Sequence, residues 1–141
     1  MDQRLSFLTL GVADFARARA FYEGGLGWKP KKTYENTVFY QANGFVFALY
    51  PRHLLAEDAG VADGAGGFGG ITLAINAKDE AGVDAIMAEA KAAGANILKP
   101  AQKAFWGGYH GYFADLDGYA WEVAWNSSIT IDNEGRSVWK D

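Results

Sequence analysis

Phe113-Ala114-Asp115-Leu116-Asp117-Gly118-Tyr119-Ala120-Trp121-Glu122 reads as a strand, a turn and a second strand. Asp-Leu-Asp-Gly between two apolar runs is a hairpin signal. It predicts strands over 108–114 and 120–125. Successive side chains of a strand point to opposite faces. Trp121, Val123 and Trp125 therefore share one face, and Ala120, Glu122 and Ala124 the other.

The same division recurs along the chain. Strand 70–75 separates Ile71, Leu73 and Ile75 from Gly70, Thr72 and Ala74. Strand 7–12 separates Leu8, Leu10 and Val12 from Phe7, Thr9 and Gly11. Strand 45–50 separates Phe45, Phe47 and Leu49 from Val46, Ala48 and Tyr50. One face is large and apolar, suited to packing under a helix. The other is short, and a solvated face would carry Lys, Glu and Arg rather than Gly and Ala. A curved sheet would make that short face a pocket.

Two half-copies emerge. Leu8-Thr9-Leu10-Gly11-Val12 precedes a helix over 14–24, with Asp14 as N-cap and Gly24-Gly25 as stop. Ile71-Thr72-Leu73-Ala74-Ile75 precedes a helix over 79–93, striped by Val83, Ile86, Met87 and Ala90 and ended by Gly94. Strand 37–41 joins strand 45–50 through Ala42-Asn43-Gly44. The repeats span about 5–50 and 70–126. A Gly/Ala-rich linker over 51–69 separates them, and loops of that length often cover binding sites. In the tail 127–141, Asn133-Glu134-Gly135 predicts a small hairpin over 129–139.

Composition bounds the rest. The 141 residues suit a single domain. Half are hydrophobic and 21% charged, which excludes a disordered chain. Thirteen basic against seventeen acidic residues give a net charge of −4, without the basic footprint of a nucleic-acid binder. The absence of cysteine excludes disulfides, a thiolate zinc site and a thiol nucleophile. No apolar run reaches the roughly 18 residues of a membrane span. No signal-peptide core follows Met1-Asp2-Gln3-Arg4, so a cytoplasmic location is expected. Eighteen glycines and 15% aromatics suggest tight turns around a cavity, or a packed sheet protein rich in turns.

The chain resembles the vicinal oxygen chelate superfamily, the glyoxalase/bleomycin resistance/dioxygenase group. The residues that carry the resemblance are Leu10-Gly11-Val12-Ala13-Asp14, Phe21-Tyr22-Glu23 and Leu26-Gly27, then Phe113 to Glu122. Leu116 stands where the family usually has Pro. The resemblance implies an α+β fold of two βαβββ modules forming a cupped mixed sheet. It also implies a homodimer with the site near the interface.

Metal-dependent members of that family place four ligands on the first and last strands of the modules. These positions fall on Phe7, Ala48, Gly70 and Glu122. Only Glu122 is a metal ligand by chemistry. A relocated site would draw on His110, Glu122 and His53. No metal and no other cofactor is expected. The hairpin places Tyr112 opposite Glu122 and His110 diagonal to it, within reach of long side chains. Glu122 is then either one half of an acid–base pair with His110, or a hydrogen-bond acceptor for Tyr112 or Thr9. Trp106, before Gly107-Gly108, is either a lid or a packed edge residue. Tyr40, Tyr50 and Arg52 are placed at the mouth.

The leading expectation is a metal-independent binder of a small organic molecule in an aromatic-rich cup. Phe7, Thr9, Ala48, Tyr50, Gly70, Thr72, Trp106 and Tyr112 are its candidate ligand contacts. An acidic chain with such a cup suits a planar or cationic ligand. The alternative is a lyase or isomerase using Glu122 and His110 as base and acid. Partners are a small molecule and a second copy of the chain, with neither nucleic acid nor membrane.

Overall fold

In a computed structural model, residues 7–59, 62–64 and 71–140 are described, apart from the side chains of 59 and 139. The chain divides into two compact units, 1–68 and 69–141. It is α+β, and each unit holds a four-stranded mixed sheet.

The first unit runs β1 (Phe7–Val12), α1 (Phe15–Arg19), β2 (Lys32–Thr33), β3 (Val38–Gln41), β4 (Val46–Pro51) and α2 (Arg52–Ala59). Asp14 caps α1 by accepting from the Arg17 N–H at 2.9 Å. The helix then widens into a π-helical segment, Ala20–Gly25. The sheet order is β1-β4-β3-β2, with β1 parallel to β4 and the rest antiparallel. Gly44 makes the β3–β4 turn at φ 91°, a region only glycine enters without strain.

The second unit runs β5 (Thr72–Asn76), α3 (Glu80–Ala92), β6 (Asn96–Lys103), β7 (Tyr109–Ala114) and β8 (Ala120–Trp125). A hairpin of β9 (Ile129–Ile131) and β10 (Ser137–Trp139) follows, as the tail predicts. The order β5-β8-β7-β6 repeats the first unit strand for strand. Asp79 caps α3 by accepting from the Gly82 N–H at 2.7 Å. Val83, Met87 and Ala90 are buried on the helix face that covers Phe113, Trp121 and Val123.

Three expectations need correction. The segment 51–69 is not all linker, because Arg52–Ala59 is helical. The strand read over 70–75 runs Thr72–Asn76, with the Asn76 amide donating to the Ala124 carbonyl. The short face of the first sheet is not open along its length. α2 lies over Gly11, where an added Cβ would meet Arg52 Cα at 3.1 Å and Leu55 at 3.3 Å, and Ala48 is buried.

The aromatic surplus also has a different use in this unit. Phe21, Tyr22, Trp28, Tyr40 and Phe47 form a ring cluster with centroids 5.1–6.4 Å apart. Phe47 lies on the large face of the sheet. The aromatics therefore build a core beneath the helix, where each buried ring removes a large apolar area from water. Tyr40, placed at the mouth from sequence, is buried in this core, and its hydroxyl donates to Glu23 at 3.0 Å.

Candidate functional site

The β7–β8 hairpin is held from within its turn. The buried Asp115 carboxylate accepts from the Asp117 N–H at 3.0 Å and the Tyr119 N–H at 2.9 Å, and Gly118 takes φ 85°. This Asx-type turn fixes the register, pairing Tyr112 with Glu122 and His110 with Ala124. His110 thereby stands diagonal to Glu122, as the sequence predicts.

The pair is formed. His110 Nδ1 lies 2.7 Å from Glu122 Oε1. His110 is buried, whereas Glu122 keeps partial access to solvent, with 24% of its side chain exposed. Tyr112 stands directly opposite Glu122 in the register. Burial, followed by the adjacent Glu122 charge, pushes the Tyr112 hydroxyl above its usual range. The Trp106 and Tyr112 rings meet the imidazole edge-on, with centroids at 5.4 and 5.6 Å.

Trp106 is held over this site by a glycine. An added Cβ on Gly108 would lie 1.8 Å from the Trp106 ring and 2.5 Å from the Trp125 carbonyl oxygen. Only a residue without a side chain lets the indole fold back here. Gly107 turns the loop at φ 92°.

Lys99 is the residue that sequence reading missed. Its Nζ is 3.2 Å from His110 Nε2. It sits on β6, the edge strand, opposite Tyr112. The register of β6 shifts between Ile97 and Lys99 and again between Lys99 and Gln102. Pro100, which has no N–H to give, follows it, and bulges of this kind re-aim side chains. The remaining signal was the prolyl edge strand itself.

The metal-ligand positions also shift. β1 pairs Thr9 with Ala48, and β5 pairs Ala74 with Glu122. Phe7 precedes the N-cap Asp14 by the same step as Thr72 precedes the N-cap Asp79 (7 to 14, 72 to 79). Both relations make Thr72, not Gly70, the counterpart of Phe7. Gly70 itself lies outside the described residues. The four equivalent positions are then Phe7, Ala48, Thr72 and Glu122, which offer one carboxylate. His53 is exposed on α2. Among the described residues no three His, Cys, Asp or Glu side chains are grouped to hold an ion. The residues present do not fit the family's metal.

The candidate contacts fall in two groups. Phe7, Thr9, Ala48 and Tyr50 share one face of the first sheet. Thr72, Tyr112, His110 and Glu122 share one face of the second, with Trp106 against His110. Arg52 pairs with Asp63. Two surface depressions are present elsewhere. One of about 200 Å³ is lined by Phe7, Lys31, Lys32, Phe39, Gln41 and Val46. One of about 300 Å³ includes Lys78, Trp125 and Lys140. Neither includes His110 or Glu122.

A family model described as Glyoxalase/Bleomycin resistance protein/Dioxygenase superfamily matches residues 4–123. Among solved structures, a glyoxalase-related enzyme from Fulvimarina pelagi is 37% identical, with a TM-score of 0.91 over 99% of this chain and 100% of that one. A glyoxalase/bleomycin resistance protein/dioxygenase from Nocardioides is 22% identical, with a TM-score of 0.74 over 89% of this chain and 84% of that one. A lactoylglutathione lyase from Agrobacterium tumefaciens is 22% identical, with a TM-score of 0.67 over 89% and 95%. The last two show likeness of fold alone. No curated protein matches the chain. No helix of the described residues is long and apolar enough to cross a membrane.

Proposed function

Given that the chain belongs to the glyoxalase/bleomycin resistance protein/dioxygenase superfamily, we propose that it binds a small organic molecule without a metal ion. The site is the short face of the second sheet, around Glu122. The observation that carries this reading is the linked set Lys99, His110, Glu122 and Tyr112 on a face whose neighbours Thr72 and Ala74 are short and exposed. Polar groups converging beside unfilled space, with a ring alongside, are the ordinary composition of a ligand site.

A thermal-shift screen of small organic molecules tests it, because a ligand of the folded state raises the melting temperature. Hits are expected to lose their effect in Glu122→Ala. Elemental analysis of protein purified without chelator is expected to find no stoichiometric divalent metal. One zinc, nickel, iron or manganese per chain, lost on Glu122→Ala, would overturn metal independence.

The 2.7 Å His110–Glu122 bond favours a second reading, an acid–base lyase or isomerase. Glu122 is then the group that exchanges a proton with substrate. His110 has both ring nitrogens engaged, so it positions Glu122 rather than serving as the acid. The relative from Fulvimarina pelagi is described as an enzyme. Turnover abolished by Glu122→Gln with binding retained supports this reading; a ligand bound tightly and recovered unchanged supports the first.

The same proposal includes a homodimer. Phe7, Ile71, Leu98 and Phe105 are exposed apolar side chains available to an interface. Sedimentation equilibrium at 15.3 kDa across the micromolar range would exclude it.

A further inference from the structure

Lys99 has one described hydrogen bond, to His110, and is in no described ion pair. An ammonium has donors and no acceptor, so His110 Nε2 accepts from Lys99 and the Nδ1–H donates to Glu122. Lys99 thus faces a neutral ring. None of the described ion pairs includes it, and its remaining N–H donors have no described acceptor. It is also half-buried. Burying a charge is costly unless an acceptor compensates it. Glu122 already receives the His110 Nδ1–H. The donors left over at the site are those of the Lys99 ammonium, although the chain as a whole is acidic.

We propose that the ligand is an organic anion whose charged oxygen is taken by the Lys99 ammonium. This rests on the reading that the Glu122 face binds a small molecule, and it narrows that reading to a class. A carboxylate is the simplest such group, since an ammonium serves as a point charge for it. The Trp106 and Tyr112 rings beside His110 offer flat apolar surface to the body of the ligand. The overall charge of −4 would favour a cation; the spare N–H donors of Lys99 favour an anion at this position.

The test compares three probes of one shape: benzoate, benzamide and benzamidinium. Binding is followed through the ring signals of His110 and Trp106 in ¹H–¹⁵N spectra. Benzoate is expected to bind at least about tenfold tighter than benzamide, with benzamidinium weakest, the scale of one charge-assisted hydrogen bond. Lys99→Met is expected to erase the preference, and Lys99→Arg to keep it. The preference is a ratio within one variant, so a general loss of stability cancels. Benzamide or benzamidinium matching benzoate at His110 in the unmodified protein overturns the anion inference and leaves small-molecule binding standing. Benzoate preference surviving Lys99→Met also overturns it. None of the three probes moving His110 or Trp106 overturns both.

Discussion

The two units share one strand order and have put the same positions to opposite uses. Lys32 pairs with Phe39, and Phe39 with Ala48; Lys99 pairs with Tyr112, and Tyr112 with Glu122. The counterparts of a linked polar set are therefore a lysine over the Tyr34 ring, a phenylalanine and a buried alanine. In the first unit α2 lies over Gly11 on that face, and the rings gather beneath α1. In the second, the corresponding face carries Lys99, His110, Tyr112 and Glu122. One repeat fills this face with packed apolar side chains and the other with a polar set, on one backbone plan.

Perturbing the packed unit should cost the most stability. Phe47→Ala opens a cavity at the centre of the ring cluster and is expected to destabilise by about 3–5 kcal/mol in denaturant titration. Writing the second unit's chemistry into the first is the direct assault on the comparison. Ala48→Glu places a carboxylate at a buried site without its His partner and should cost about 3 kcal/mol. If Ala48→Glu is tolerated like a surface change, the two faces are not as different as described.

Gly108→Ala comes next. Its Cβ cannot avoid the Trp125 carbonyl oxygen, so a loss of about 1–3 kcal/mol is expected, as for overpacking. The ring-current shift of Trp106 on His110 should disappear with it. Glu122→Gln is expected to cost about 1–2 kcal/mol, the worth of hydrogen bonds to a charged group. It should also lower the Tyr112 titration only part of the way towards 10.0, because burial is the larger cause of the upward shift. A full return in an ultraviolet titration would reverse that order of causes.

The smallest effect is at the first unit's own ion pair. The hydrogen bond from Arg19, aided by Tyr40, holds the Glu23 carboxyl below 4.5. A carboxyl with a lowered folded pKa contributes stability above its unfolded value, and that contribution is lost as pH falls through the folded one. Solvent screening keeps it below about 1 kcal/mol. Glu23→Gln should lower stability by that small amount across the neutral range, and the difference from the unmodified protein should shrink to nothing as pH falls below 4.5 and through the folded value.

What could be read from sequence was local. Asp14 and Asp79 announce their helices because an N-cap acts within one turn. The Asp115–Gly118 turn fixes the register of its hairpin, so the His110–Glu122 diagonal follows from counting. What was hidden depends on partners far along the chain. Ile71-Thr72-Leu73 looks like Leu8-Thr9-Leu10, and that likeness put Gly70 in place of Thr72. The parallel pairing of β5 with β8 decides otherwise, and no local rule sets it. α2 has no clear stripe of apolar residues, so its helix was read as linker. Lys99 matters only through its cross-strand neighbours, and an irregular edge strand concealed them.

The self-tied turn at Asp115 has a consequence for how the site is assembled. Lys99, His110, Tyr112 and Glu122 come from three successive strands joined by short loops, all between residues 96 and 125. Antiparallel neighbours of this kind close small loops, with little chain entropy spent before contacts form. The parallel partner β5 must instead wait for a crossover that includes α3. By contact order alone, the three-stranded meander that carries these residues is the part of the sheet expected to form ahead of its parallel fourth strand. Their geometry answers to the sequence of one continuous meander rather than to the closure of the whole chain.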